Sequence, residues 1–235
     1  MKLVVVPTPI GNLEDITLRA LNVLKSADFV LCEDTRTTKN LLRHFEIDKP
    51  CYAYHIHNEH QQLDNIIRQI QQVEMVALTS DAGTPCISDP GYLLVRECVK
   101  LGIEVECLPG ATALIPALVN SALPASSFKF YGFIPHKKGK ESCLKTIASA
   151  HETSIFYESP YRLLKTLQMM LPIFGTDRKI AVCRELTKIH EENFRGTVGE
   201  AIDHFSAKEV KGEIVVVVDA APDARSEKRD ELLFE

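Results

Sequence analysis

Leu3-Val4-Val5-Val6-Pro7-Thr8-Pro9-Ile10-Gly11-Asn12-Leu13-Glu14-Asp15 is the stretch on which the reading of the fold turns. Four apolar residues, three of them β-branched, predict a short buried strand over 3–6 that stops at the first proline. The two prolines and the glycine that follow make a turn rather than a continuation. Ile16, Ala20, Val23, Leu24 and Ala27 then recur at i, i+4, i+7, i+8 and i+11, the period of an amphipathic helix. Phe29-Val30-Leu31-Cys32 is again a short apolar run. Strand, helix and strand in that order form the unit from which parallel sheets are built.

The pattern repeats outward from this unit. Leu63, Ile66, Ile67, Ile70 and Val73 keep helical period, and residues 76–78 and 105–108 read as buried strands. The stretch Asn120-Ser121-Ala122-Leu123-Pro124-Ala125-Ser126-Ser127 is small, polar and proline-containing, as a linker is. Beyond it, strands are predicted over 128–133, 155–157, 180–182 and 214–218. Helical repeats lie between them at Leu163, Leu164, Leu167, Met170 and Leu171, then at Val198, Ala201, Ile202 and Phe205. Strand-like stretches crowd together after residue 180, which predicts a mixed sheet. The expected organisation is two α/β domains, residues 1–123 and 124–221, each a sheet flanked by helices, then a charged tail over 222–235.

With 45% hydrophobic and 25% charged residues among 235, the chain has a globular composition rather than a fibrous or disordered one. The balance of 27 Lys and Arg against 32 Asp and Glu, a formal charge of −5, argues against a protein that coats nucleic acid nonspecifically. It leaves room for an enzyme that visits RNA through a local basic patch. Seven scattered cysteines without a C-x-x-C read as reduced, mostly buried thiols, not as a disulfide framework or a zinc site. No run approaches the roughly 18 to 20 apolar residues of a spanning helix, and the N-terminal apolar run is too short for a signal peptide. A cytoplasmic protein without membrane contact is expected.

The common nucleotide and hydrolase signatures are missing. The first turn holds no G-x-G-x-x-G, Lys138-Gly139-Lys140-Glu141-Ser142 lacks the upstream glycine and hydroxyl of a P-loop, and neither G-x-S-x-G nor H-E-x-x-H occurs. Three other loops stand out instead. They are the turn after the first strand, the run Ser80-Asp81-Ala82-Gly83-Thr84-Pro85-Cys86-Ile87-Ser88-Asp89-Pro90-Gly91, and Leu108-Pro109-Gly110-Ala111-Thr112-Ala113. Proline fixes φ and glycine admits positive φ, so such loops hold unusual backbone in place. All three follow strands, at the sheet end where open α/β proteins bind ligands. One such loop is an ordinary capped turn more often than a site, but three in one topological place favour a site.

These loops, together with Cys32-Glu33-Asp34-Thr35-Arg36, Tyr157-Glu158-Ser159-Pro160-Tyr161-Arg162 and Arg184-Glu185-Leu186-Thr187-Lys188, resemble the motifs of the ribosomal RNA small subunit methyltransferase I family. That family belongs to the tetrapyrrole methylase superfamily, the class III S-adenosyl-L-methionine enzymes, and the resemblance runs in order from residue 3 to about residue 219. It implies a homodimer of two-domain α/β chains, with the cofactor S-adenosyl-L-methionine in the cleft between domains. The implied reaction is 2′-O-methylation of a cytidine ribose in the decoding region of 16S rRNA, in the small ribosomal subunit. Carried over position by position, the cofactor meets Pro9, Ile10, Asp81, Ala82, Gly83, Thr84, Thr112 and Ala113 from the first half. From the second half it meets Tyr157, Glu185, Leu186 and Gly212. The chain departs from the pattern in two ways: longer members carry a further C-terminal helical segment, and Ala122 stands where glycine is usual.

Among the remaining candidates, Glu33 or Asp34, with Glu33 preferred, is read as a group that helps deprotonate a hydroxyl and Arg36 as one that holds a phosphate, against a helix cap with a surface ion pair. His55, His57 and His60 lack a completing ligand, so no metal site is expected. His136-Lys137-Lys138-Gly139-Lys140, with Lys145, is the most basic patch and a candidate contact for RNA. Two alternatives stay open: a methylase of a small tetrapyrrole, or a nonenzymatic ribosome-assembly factor that has kept the fold.

Overall fold

A computed structural model describes residues 1–222, so the tail expected from 222 onward falls almost wholly outside the described residues. The chain folds into two compact units that divide after Thr112.

In the first unit, β1 (Lys2–Val5), β2 (Phe29–Cys32), β3 (Cys51–Ala53), β4 (Met75–Leu78) and β5 (Glu104–Cys107) form one sheet in the order β3-β2-β4-β1-β5. Every pairing is parallel, as the strand-helix-strand pattern predicts. The four residues of β2 are all buried because helices cover both faces of the sheet. On one face α1 (Leu18–Ser26) and α2 (Thr35–His44) pack Ala20, Leu24 and Leu42 against Val4, Val30 and Ala77. On the other, α3 (Glu59–Ile70) and α4 (Tyr92–Lys100) pack Ile66, Ile70, Leu94 and Cys98 against Leu3, Val5, Leu31 and Leu78. The chain leaves β1 toward one face and β4 toward the other, so these neighbouring strands bracket a topological switch point.

The second unit begins with α5 (Leu114–Ser121) and continues through β6 (Phe128–Phe133), α6 (Lys140–Ala148), β7 (Thr153–Glu158), α7 (Pro160–Phe174), β8 (Lys179–Arg184), β9 (Glu192–Thr197), α8 (Val198–Ser206) and β10 (Ile214–Val218). Its sheet runs β6-β7-β10-β8-β9. β6 and β7 are parallel while the other pairings are antiparallel, which is the expected mixed sheet. Phe156, Leu163, Leu167, Met170, Val182, Phe205 and Val216 lie in one core under α6, α7 and α8. The expected joint at 123/124 falls after α5, whereas the compact units part before that helix. The reason is packing: α5 lies on β8 and β10, and the Cys183 thiol donates to the Ala117 carbonyl at 3.8 Å.

Two strands were not expected from the sequence. β3 is a three-residue edge, and β9 carries Glu192, Asn193 and Arg195 along an edge that has no apolar alternation. All seven cysteines are free, yet only Cys32, Cys98 and Cys183 are fully buried and Cys107 is exposed, so the expectation of mostly buried thiols holds for fewer than half.

Candidate active site

The three loops singled out in the sequence follow β1, β4 and β5, which are adjacent in the order β4-β1-β5. Backbone bonds stitch the first two together: the Thr8 amide donates to the Gly83 carbonyl and the Gly83 amide to the Thr8 carbonyl, both at 2.9 Å. The Thr8 hydroxyl donates to the Ser80 carbonyl at 3.1 Å. The third loop is tied in by the Thr84 hydroxyl, which donates to the Ala111 carbonyl at 3.0 Å. Gly110 lies so close to Pro7 that a Cβ there would sit 2.7 Å from the proline ring. Gly83 has φ +85° and closes against Ile10, whose Cγ2 would lie 3.4 Å from a Cβ. Ile10 is buried, while Asp81 and Ala82 are exposed and Pro9, Thr84, Thr112 and Ala113 half-exposed. The result is a rigid rim of small side chains and accessible backbone.

The loop after β4 carries backbone strain further on. Cys86 and Ser88 both have positive φ, +72° and +66°, and Gly91 at +128° leaves no room for a Cβ against Cys86 and Leu78. Strain of this kind, held by surrounding packing, accumulates at functional sites.

The loop after β2 meets this rim. Asp34 caps α2 by accepting from the Arg36 amide at 2.8 Å, and its own amide donates to Asp81 Oδ1 at 3.1 Å. Asp34 also holds the Arg36 guanidinium in a fork, with Nη2 at 2.6 Å and Nε at 3.1 Å from separate carboxylate oxygens. Hydrogen bonds from Arg36 therefore hold the Asp34 carboxyl down at about 2. The cap reading and the ion pair expected as alternatives for this motif are both present. Three neighbouring carboxyls behave oppositely. Burial raises Glu33, and the charge of Asp81 adds to it. Burial also raises Asp81, against the Asp34 amide that favours its charged form. Asp89 is pushed up to about 7 by burial and then by Glu33 and Asp81. Asp89 was not singled out in the sequence, where Ser-Asp-Pro-Gly reads as turn chemistry.

Beside these carboxyls a pocket of about 380 Å³ opens toward α2, lined by Pro9, Gly11, Thr37, Asn40, His44 and Asp81 among others. Its α2 residues were also missed, because they are polar positions on a helix already explained by its buried Thr38 and Leu42. His55 and His57 approach with ring centres 6.0 Å apart. Among the described residues no three His, Cys, Asp or Glu side chains gather as a metal-ligand set.

In the second unit the remaining candidates form their own arrangement. Glu185 has φ +53° and exchanges hydrogen bonds with Glu213: its amide donates to the Glu213 carbonyl and its Oε1 accepts the Glu213 amide, both at 2.9 Å. Lys188 Nζ lies 2.8 Å from the same Oε1. Burial works to raise this carboxyl, but Lys188 and the Glu213 amide outweigh it and hold it below its ordinary value. Gly212, at φ +89°, sits where a Cβ would meet the Glu185 side chain at 2.3 Å, so no other residue fits. Leu186 is buried beside them. Tyr157 packs edge-on against Phe130 and Phe133, with centroids 4.9 and 5.3 Å away.

One expected site residue is placed differently. Lys140 is not part of an exposed basic patch: it is 4% exposed, with Nζ 3.0 Å from Glu158 Oε2 and 2.6 Å from the Thr166 hydroxyl. The helical turn that starts at Gly139 points it inward. Lys145 is exposed but paired with Glu141 at 2.7 Å.

These two sheets, with strained and stitched loops at the switch point of the first, have the fold of class III S-adenosylmethionine-dependent methyltransferases. Residues 2–202 match the family described as Tetrapyrrole (Corrin/Porphyrin) Methylases. Among solved structures, uroporphyrin III C-methyl transferase from Thermus thermophilus aligns with a TM-score of 0.65 at 18% identity, over 93% of this chain and 97% of that one. A diphthine synthase aligns with a TM-score of 0.74 at 13% identity, over 94% and 90%. Nearer in sequence are proteins named ribosomal RNA small subunit methyltransferase I. The one from Thermotoga maritima is 48% identical over 92% of this chain and 97% of its own length. The Hydrogenobaculum protein is 51% identical over 93% and 95%, and the Bacillus subtilis protein 46% identical over 93% and 75%. The chain belongs to the ribosomal RNA small subunit methyltransferase I family.

Proposed function

We propose that this protein uses S-adenosyl-L-methionine to methylate small-subunit ribosomal RNA, at the 2′-oxygen of a cytidine ribose in the decoding region of 16S rRNA. The observation that carries the reading is identity near one half with the Thermotoga and Hydrogenobaculum relatives along nearly the whole of all three chains. A homodimer acting in the cytoplasm on the small subunit belongs to the same reading.

The loops of the first unit suit the cofactor. Pro9, Ile10, Asp81, Ala82, Gly83 and Thr84 present small side chains and backbone polar groups, as an adenosine with a methionine tail requires. α5 is capped at Ala113, whose side chain makes no cap bond, which leaves amide donors at the helix start for a polar ligand group. Tyr157, Glu185, Leu186 and Gly212 complete the proposed set from the second unit. Their support is the positive φ at Glu185 and Gly212, which local packing maintains.

When bound, the cofactor supplies an electrophilic sulfonium methyl group. What the chain must add is alignment of the ribose hydroxyl and a place for its proton. Glu33 would be the group that holds the proton of the 2′-hydroxyl when that oxygen is aligned for methylation. Partial burial and the Asp81 charge raise its proton affinity, as a base working near neutrality needs. Arg36, oriented by Asp34, faces solvent and is placed for a phosphate of the same nucleotide.

The test is methyl transfer from labelled cofactor to purified small subunits, followed by mapping of the modified nucleotide. Label on one cytidine ribose is the expected result. Label on a tetrapyrrole but not on subunits would replace this reading with that of a small-molecule methylase, and cofactor binding without any transfer would favour an assembly factor.

A further inference from the structure

The second unit contains a buried charge cluster that the proposed chemistry does not use. Glu158, at the end of β7, has a fully buried side chain between two cations: Lys140 at 3.0 Å and Arg162 at 2.7 Å. The Thr166 hydroxyl lies 2.6 Å from Oε2, and the Ser159 amide donates to Oε1 at 2.7 Å. One carboxylate thus ties down three pieces of chain. They are the start of α6 through Lys140, the turn into α7 through Ser159, and the first turns of α7 through Arg162 and Thr166. Burying the charges of Glu158 and Lys140, with Arg162 partly exposed beside them, costs more than packing apolar residues in the same space, so the arrangement is poorly explained by stability alone.

The segments it fixes are open to solvent. His136, Lys137 and Lys138, just before Lys140, are exposed. Tyr161, between Glu158 and Arg162, exposes 93% of its surface at the start of α7. Lys165 is one turn further on the same helix, also exposed. Among the described residues, Lys137, Lys138 and Lys165 have no ion-pair partner. In a chain of net charge −5, the two segments that Glu158 ties together thus carry three unpaired cations and a bare aromatic ring.

From this placement we infer that the second unit docks an unpaired RNA segment, with Tyr161 stacking on a base and Lys137, Lys138 and Lys165 meeting flanking phosphates. Glu158 is the positioning residue that holds both segments. The chemistry is that of single-strand binding, in which any base stacks on an aromatic face and lysines follow the backbone. The inference rests on the rRNA reading above and adds the surface that reads the substrate.

The experiment measures two things for each variant: equilibrium binding to purified small subunits at several salt concentrations, and cofactor affinity by calorimetry. Tyr161→Ala is expected to weaken subunit binding between about fivefold and a hundredfold, the range for removing one aromatic ring stacked on a base. Tyr161→Phe should bind as the parent does, since stacking needs the ring and not the hydroxyl. K137E/K138E should weaken binding and flatten its salt dependence by about 0.7 in log–log slope for each phosphate no longer neutralised. Cofactor affinity should be unchanged in all three. Parental subunit binding by Tyr161→Ala and K137E/K138E, with methylation intact, overturns the inference and leaves the proposed function standing. Binding that depends on Tyr161 without methylation of any subunit RNA does the reverse. Tyr161-dependent capture by phosphatidylglycerol vesicles, but not by subunits, would also overturn it in favour of a membrane surface.

Discussion

A single residue type does different work at different depths in this protein, and its carboxylates show it. Asp34 is half-buried and paired with the exposed Arg36, whereas Glu158 is buried and neutralised by Lys140 and Arg162. Removing one partner of a buried cluster leaves uncompensated charge, so Glu158→Gln should cost about 3–5 kcal/mol in denaturant unfolding. A loss below about 0.5 kcal/mol would mean that the cluster is solvated. Gly83 is the opposite case, a residue chosen for what it lacks. At φ +85° a β-branched side chain is strained, and beyond its Cβ it would extend into the space beside Ile10 and the Ala111 carbonyl. Gly83→Val should lower cofactor affinity more than tenfold while unfolding stays cooperative. Unchanged affinity by calorimetry would place the cofactor elsewhere. Gly83 was legible in the sequence because Pro and Gly mark special backbone, whereas Lys140 was misread because a basic run says nothing of which lysine turns inward.

At the scale of elements, helix ends and loops decide local stability. α5 ends at Ala122 in the left-handed conformation, φ 57° and ψ 23°. Left-handed backbone costs an L-residue about 1–2 kcal/mol, part of which glycine gives back as unfolded-state entropy. Ala122→Gly should therefore stabilise the protein by about 0.5–1 kcal/mol, read as a higher denaturant midpoint with unchanged slope. The loop after β4 gives a pH dependence. Asp89 ionises near its ordinary value of about 4 when unfolded but is pushed up to about 7 in the fold, chiefly by burial. The folded state then binds the extra proton between these values, so its contribution is fully present below about pH 4 and is lost as pH rises through 7. Asp89→Asn should raise the melting temperature at pH 8 and leave it nearly unchanged at pH 4. Equal effects at both pH values would mean that Asp89 is not desolvated. The strands β3 and β9 belong to this scale too. Edge strands need only one covered face or none, so their sequences carry little of the apolar pattern by which strands are recognised.

For the whole molecule, the charge balance shapes how substrate is found. A chain of net charge −5 has little long-range pull toward RNA. Affinity for a short strand should then be weak, and recognition should depend on a site shaped by the assembled particle. Whole small subunits should be methylated far more efficiently than naked 16S rRNA or a short hairpin of the target sequence. Equal kcat/KM on the hairpin would show that local sequence suffices. What the sequence determined by itself was the alternation of strands and helices, the two-unit plan and the three loops after β1, β4 and β5. Hydrophobic period and Pro–Gly punctuation are local properties, readable along the chain. Only the tertiary structure decided that those loops are stitched into one rim, that α5 packs with the second sheet, and that Glu33, Asp81 and Asp89 come close enough for their charges to interact. It also decided that Lys140 is buried on Glu158. Burial and the meeting of charges depend on which segments the fold brings together across tens of residues, and no local pattern in the chain encodes that.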